Sequence, residues 1–508
     1  MQTLPADAQA MPCISLPAWP IDIVRQLTEQ RIWLAGGPVR DLILDRVPRD
    51  WDFVTDGGAL QLARAVANAM GGAFYPLDAA RGTGRAVVRD PDTQTPINLD
   101  FADLRGSDIL DDLRLRDFTI NAMARTLDGQ FIDPTAGRQD LACECIRMTS
   151  PRAFLQDPAR LVRAVRQAEE LHFTLEPETH RQLRRDAPAI NDVAAERVRA
   201  ELVRLLRLPE ASLGLHRLGE LSLLAHILPE VHTVCASPIP VDGNASSAEG
   251  RGELIRIGQL IDSVDRLADA AEGAINPASP ALPENLGRAA SGLVAALSDL
   301  STPLVAYLHE PVGAEVTRRD LLKWCALFLR TGVVDQDSAG PSMLTPVLCE
   351  VSASLAEQAM TRLRFSRAAV EFVTRAVGES WRFGRLIGSV PARRQIYAYF
   401  RETRQTGIAA ALLSLANIVV TQSGAWCDQE WPAHLDVVHP LLDAYLRQRE
   451  AMVDPQPLLS GNDMMALGLD PGPRIGELIE ALREAQAAGE VLTRSEAQTW
   501  AAGMIAAQ

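Results

Sequence analysis

The sequence predicts an α/β head built on a mixed sheet, followed by predominantly α-helical neck, body and tail domains. Three observations carry this reading. Short apolar runs separated by glycine turns crowd the first quarter of the chain. From Ala153 onward, apolar residues recur at helical spacing over long stretches. The 508 residues also exceed what one hydrophobic core usually organises, so several domains are expected. The expected boundaries are 21–146 for the head, 147–230 for the neck, 231–440 for the body and 441–508 for the tail.

Residues 1–20 hold four prolines and little pattern, which reads as a loose lead-in. Pro20–Leu27 starts a short helix with Asp22 near its positive end. Arg31–Ala35 is a compact apolar run that ends at Gly36 and Gly37, as a strand entering a tight turn would, and Val39–Leu44 then has helical spacing. Trp51–Thr55 and Ile97–Ala102 carry strand periodicity, with a helix expected between them from Leu60 to Met70. Ala153–Leu208 is strongly helical and rich in arginine. The interval Cys235–Gly287 is rich in Ala, Pro, Ser, Gly and Asn, above all in Pro238–Ser247 and Asn276–Pro280, and reads as loops around one short helix. Helical spacing then continues nearly to Gln508.

The net charge of −15 excludes a surface that binds nucleic acid everywhere by phosphate attraction, so any such contact needs a local positive field. Of the 50 basic residues only Lys323 is lysine, which disfavours a lysine-dependent phosphate loop. The arginines offer planar donor forks suited to phosphates and base edges. Cys13, Cys143, Cys145, Cys235, Cys325, Cys349 and Cys427 form neither a disulfide framework nor paired metal-binding motifs. No run of eighteen apolar residues and no basic-then-apolar leader stands out, so a cytoplasmic location without a membrane partner is expected.

Asp50 and Asp52 stand two apart on an expected strand, so both carboxylates point to one side. Asp100, on the second strand, is placed to complete the group. Taken alone, an Asp-X-Asp is more often a solvated strand end. The flanking sequence changes that. Gly36 and Gly37 permit close backbone approach, the helix that follows offers N–H groups to an anion, and Arg40 adds a charged fork. Together these describe a site for a triphosphate held on Mg²⁺, with Asp50 and Asp52 as metal ligands.

Leu34–Asp41 followed by Arg49–Thr55 closely resembles the class II branch of tRNA nucleotidyltransferases, which includes CCA-adding enzymes and bacterial poly(A) polymerases. The resemblance implies that Asp50 and Asp52 bind the catalytic metals and that Asp100, five positions before Arg105, is the third acid. Arg116–Ala124 is similar to the family's ribose-recognition motif, which assigns Arg116, Asp117 and Asn121 to the nucleotide. Phe131–Leu141 resembles the turn that closes the head. Asp157–Arg166 is similar to the helix whose Asp and Arg recognise the incoming base; Asp157 and Arg160, three apart, are expected to share a helix face. One carboxylate and one guanidinium can favour C and A over G and U. Arg163 and Arg166 would lie near ribose or phosphate, and Glu196–Leu202 would brace the recognition helix.

By resemblance, the expected activity is transfer of CMP and AMP from CTP and ATP to the 3′ end of tRNA, with Mg²⁺ as cofactor and pyrophosphate released. Two departures bear on it. Gln156 replaces the family's Glu before the templating Asp, which weakens the restraint on Arg160. Only ten residues separate Arg105 from Arg116, where complete CCA-adding members carry a longer flexible loop, and the shortening resembles enzymes that add only the two C residues. CC addition, poly(A) synthesis and a non-catalytic RNA-binding scaffold are the alternatives. Leu458–Leu478 is similar to a body segment of long family members, some of which carry an HD phosphohydrolase module. At the corresponding place Trp324–Arg330 has no His-Asp pair, so that hydrolysis is expected to be absent. The oligomeric state is left open.

Overall fold

The computed structural model describes residues 19–48, 50–236, 248–272, 284–332, 344–421 and 430–506. The lead-in up to residue 18, Arg49, Cys13, Cys427, Pro238–Ser247 and Asn276–Pro280 lie outside the described residues. The chain divides into two compact units, Met1–Val193 and Ala194–Gln508.

The first unit is built on a seven-stranded sheet. Its strands are β1 (Ile32–Ala35), β2 (Asp50–Thr55), β3 (Ala73–Asp78), β4 (Thr83–Arg89), β5 (Pro96–Asp103), β6 (Ala124–Thr126) and β7 (Phe131–Ile132), in the spatial order β3-β4-β5-β2-β1-β6-β7. The sheet is mixed, as expected: β2 runs parallel to β5 and every other pairing is antiparallel. Alternation along β2 buries Trp51 and Phe53 and leaves Asp50 and Asp52 on the opposite face. Trp51, Phe53 and Phe101 stack in line, with ring centroids 6.5 and 5.2 Å apart.

The helices are α1 (Trp19–Leu27), α2 (Gly37–Ile43), α3 (Ala59–Ala69), α4 (Ile109–Arg114), α5 (Gly137–Ala142), α6 (Ala153–Gln156), α7 (Arg160–Leu171) and α8 (Pro177–Asp186). Leu62, Ala63 and Val66 of α3 are buried, and α3 packs on β3, β4 and β5. A second small core gathers Trp33, Ala35, Val54, Ile109, Leu113, Ala122 and Ala124. A two-stranded parallel sheet pairs Cys145–Ile146 with Thr174–Leu175.

β3 and β4 were not predicted. β3 is the edge strand, and Pro76 within it lacks the N–H a central strand needs but is tolerated at an edge. A second difference concerns Asp157 and Arg160, which do not share a helix. Asp157 ends α6 in an extended conformation (φ −149°) and Arg160 begins α7. Pro158 explains the break, because its ring disfavours the helical conformation in the residue before it.

The second unit is helical. Ala248–Ala271 is a helix of 24 residues, not the short one expected in that interval. Its Ile257, Leu260, Ile261, Val264 and Leu267 are fully buried, and Gly258 permits close approach: a Cβ there would stand 2.9 Å from the Ser212 Cβ. Gly407–Thr421 is buried almost all round, as a central core helix. Two helical stretches, Leu286–Leu308 and Arg393–Thr421, are long and apolar enough to cross a membrane by length and composition alone. Each is interrupted by a 3-10 segment, Ser298–Leu300 and Arg404–Thr406, and 89 % of the second one's apolar window is buried inside the protein.

Glu196–Leu202 lies in Ala195–Leu206, where buried Arg199 turns to the Leu363 and Arg364 carbonyls, the Phe365 ring and Glu315. This arginine ties its helix to other parts of the second unit. Trp324–Arg330 is buried, and desolvation pushes the Cys325 thiol far above its usual range. Near the C-terminus Leu459, Met464, Leu469, Leu478 and Leu482 build a separate core, started by a capping box between Ser460 and Asp463.

Candidate active site

The site begins with strand register. Asp52 pairs with Asp100 across the parallel β2–β5 ladder, and Asp50 pairs with Asn98. Because side chains directly opposite on one face stand about 5 Å apart, the register alone puts three carboxylates in one patch. Asn98 Nδ2 donates to Asp50 Oδ1 at 2.9 Å. Asp100 accepts from Arg85 through both oxygens, at 2.7 Å each. Among the described residues Asp52 accepts no hydrogen bond. Burial, then the neighbouring Asp100 and Asp50 charges, push its pKa up to about 6 against the pull of Arg116 and Arg85.

The glycine turn lies beside this patch. Gly36 has φ +83°, and a Cβ there would stand 2.5 Å from Arg116 Nη1. Glycine is favoured by its backbone conformation, and a side chain there would also push aside the arginine tip that crosses it. Arg116 is held from behind by Asp112 Oδ2 at 3.2 Å. Gly37 has ordinary φ and makes room only loosely, 3.8 Å from Arg40. The anion cradle is smaller than expected: the Val39 and Arg40 amides return to the Gly36 carbonyl and Pro38 has none, which leaves Gly37 as the first-turn amide not committed within the turn.

A buried hydrogen-bond chain runs from α2 to α7. Arg40 Nη1 donates to Asn121 Oδ1 at 2.9 Å; Asn121 Nδ2 donates to Asp117 Oδ1 and Gln167 Oε1, each at 3.0 Å. Arg163 Nη1 donates to Asp117 Oδ2 at 3.2 Å. Burial alone would raise the Asp117 pKa, but Arg163 and the bonds from Asn121 and Phe118 N–H outweigh it and hold it below the usual range.

Arg160 is turned inward. Its guanidinium donates to the carbonyls of Leu115, Arg116 and Ala153, with Asp157 3.9 Å away, and burial lowers its pKa. Gln156 is exposed. Arg166 is paired with Glu170 one turn along α7. The structure therefore brings together Gly36, Asp50, Asp52, Asp100 and Arg116, and separately Arg40, Asp117, Asn121 and Arg163. Arg160 and Arg166 are bonded to the protein itself.

Two family models match this chain: one described as the poly A polymerase head domain, over residues 32–147, and one described as a probable RNA and SrmB binding site of polymerase A, over residues 172–235. A CC-adding tRNA nucleotidyltransferase of Geobacter sulfurreducens is 32% identical over 92% of this chain and 91% of its own length. The chain belongs to the tRNA nucleotidyltransferase family. An A-adding tRNA nucleotidyltransferase of Deinococcus radiodurans is 33% identical over 92% of this chain and 95% of its own length. The fold of this family member also resembles the Thermotoga maritima CCA-adding enzyme complexed with tRNA, at a TM-score of 0.53 and 18% identity, covering 96% and 94% of the two chains.

The carboxylate patch of this nucleotidyltransferase fits a divalent cation. Asp50 and Asp52 share a face, Asp52 accepts no hydrogen bond among the described residues, and its pKa is raised by burial first and by the Asp100 and Asp50 charges beside it, which Arg116 and Arg85 offset only in part. Among the described residues no three His, Cys, Asp or Glu side chains already converge as a ligand set. Asp100 is held by Arg85 and Asp50 by Asn98.

Sequence reasoning missed Arg85, Asn98, Asp112 and Gln167. Asn98 and Asp100 repeat the i, i+2 spacing of Asp50 and Asp52, a signal that was available. Arg85 and Gln167 reach their partners only through the sheet and the buried chain.

Proposed function

We propose that the protein transfers CMP from CTP, and AMP from ATP, to the 3′ end of tRNA with release of pyrophosphate. The observation that carries this reading is the in-register carboxylate patch of Asp50, Asp52 and Asp100 beside the Gly36 turn. Asp50 and Asp52 would hold Mg²⁺, which supplies charge neutralisation at the phosphates and a lowered pKa for the attacking hydroxyl. Arg116, lying across Gly36, supplies a fixed positive charge beside the carboxylates. The chain Arg40–Asn121–Asp117–Arg163 orients donors and acceptors toward a nucleotide sugar, with most of the catalysis coming from positioning. The cytoplasm is proposed as the site of action, without a membrane partner. The head, neck, body and tail boundaries given above are proposed as its working parts.

One observation favours CC addition as the narrower reading. The interval after Arg105 forms a short helix, capped by Asp108 and tied by buried Asp112 to both Arg105 N and Arg116 Nε. Such a clamped segment has little freedom to reshape the site between C and A addition. Stepwise incubation of tRNA transcripts lacking one, two or three terminal residues, with CTP and ATP separately, tests both readings. Two C residues and no A would establish the narrower one; absence of any incorporation would remove the activity altogether. Long A tails on generic RNA would instead indicate a poly(A) polymerase.

A further inference from the structure

Arg85, Asp100 and Asp52 occupy one row across three strands. Arg85 pairs with Asp100 in the antiparallel β4–β5 ladder and Asp100 pairs with Asp52 in the parallel β5–β2 ladder. The neighbouring row runs Val87, Asn98, Asp50. So the two outer carboxylates are held differently, Asp100 by a charged fork and Asp50 by a neutral amide, while Asp52 stands next to both. A bidentate guanidinium fixes the plane of the carboxylate it binds, because two parallel N–H donors leave it no rotation. It engages one lone pair on each oxygen and leaves the others available.

We propose that Arg85 is a positioning residue for nucleotidyl transfer, whose fork sets the Asp100 carboxylate beside Asp52 while its charge moderates how tightly Asp50 and Asp52 hold a cation. This rests on the reading of Asp50 and Asp52 as the cation ligands. It separates two contributions that one residue makes, geometry and charge. Lysine keeps the charge and loses the fork; glutamine loses the fork and the charge. The Arg85 side chain is 34% exposed, so neither replacement leaves a buried hole.

The test uses the full chain with Arg85→Lys and Arg85→Gln. Steady-state CMP incorporation into a tRNA transcript is measured beside calorimetric titration with Mn²⁺ alone. In both variants kcat is expected to fall about tenfold, the usual scale for loss of a carboxylate's supporting partner, with KM for CTP nearly unchanged. Arg85→Gln is expected to bind Mn²⁺ about threefold or more tightly than Arg85→Lys, since only it removes a positive charge a few ångströms from the ligands. Wild-type turnover in Arg85→Lys would overturn the geometric role, and equal Mn²⁺ affinity in the two variants would overturn the electrostatic one. If the unaltered protein neither binds Mn²⁺ nor incorporates CMP, the reading of the site itself fails. Variants that behave like an active, Mn²⁺-binding wild type remove only the role of Arg85.

Discussion

Asp50, Asp52 and Asp100 in the first unit, and Asp265, Asp269 and Glu272 in the second, are both trios of carboxylates, compensated in opposite ways. The second trio lies on one side of the helix Ala248–Ala271 and its end, at spacings of four and three. Lys323 Nζ reaches Asp265 at 2.7 Å, and Arg319 bonds Asp265, Asp269 and Glu272 together. His309 adds a contact to Glu272 at 3.5 Å. The chain's one lysine thus sits where a buried carboxylate needs a partner. In the first trio, Arg85 takes Asp100 and a neutral amide takes Asp50, which leaves Asp52 without a hydrogen-bonded partner among the described residues, beside like charges that Arg116 offsets only in part. Compensation makes a structural joint; withholding it makes a place for a cation.

The largest expected effect separates the two trios by activity. Asp52→Asn should lower CMP incorporation by about a thousandfold, because it removes a ligand that only the reaction requires. Single-turnover transfer measures this, and retention of a tenth of the wild-type rate would contradict the assignment. Lys323→Met should act the other way. It should cost about 1–2 kcal/mol in urea unfolding by stripping one of two cationic partners from buried Asp265, with Arg319 retained, while leaving transfer per folded molecule intact. Lys323→Met with Asp265→Leu should recover most of that loss; no recovery would mean the pair does not act as a pair.

Gly36→Ala is expected to cost about 1–2 kcal/mol and to displace Arg116, whereas Gly37→Ala, with ordinary φ and looser surroundings, should fall well below it. Equal thermal shifts for the two variants would break this contrast. The smallest effect concerns pH. The folded Asp52 pKa, about 6, lies above its ordinary 3.8, so the folded state loses stability as pH rises through that window and carries the full penalty above it. The full displacement corresponds to about 3 kcal/mol, which solvent access to the partly exposed Asp52 carboxylate reduces, so in metal-free buffer Asp52→Asn should gain about 1 kcal/mol at pH 8 and almost nothing at pH 4. A gain that is the same at both pH values would show that Asp52 is not held against its charge.

Much of the first unit could be read from the chain because its signals are local. Arg31–Ala35 running into two glycines, and alternation through Trp51–Thr55, specify strand, turn and face within a few residues. β3 was hidden by Pro76, whose meaning depends on whether a strand is central or at an edge. The helix Ala248–Ala271 was hidden by its small residues, because Gly258 looks like a breaker until Ser212 is seen packed against it. Arg160 matched its motif, yet the Pro158 break turns its guanidinium onto three carbonyls.

The chain by itself determined that Asp50 and Asp52 share a face and that a glycine turn precedes them, since a strand's period of two and glycine's freedom at positive φ are local properties. Only the tertiary structure decided that Asp100 stands beside Asp52, that Arg85 holds it, and that Lys323 answers Asp265. Register between strands and packing between helices depend on partners distant in sequence, and no local pattern encodes which carboxylate will be left without a hydrogen-bonded partner.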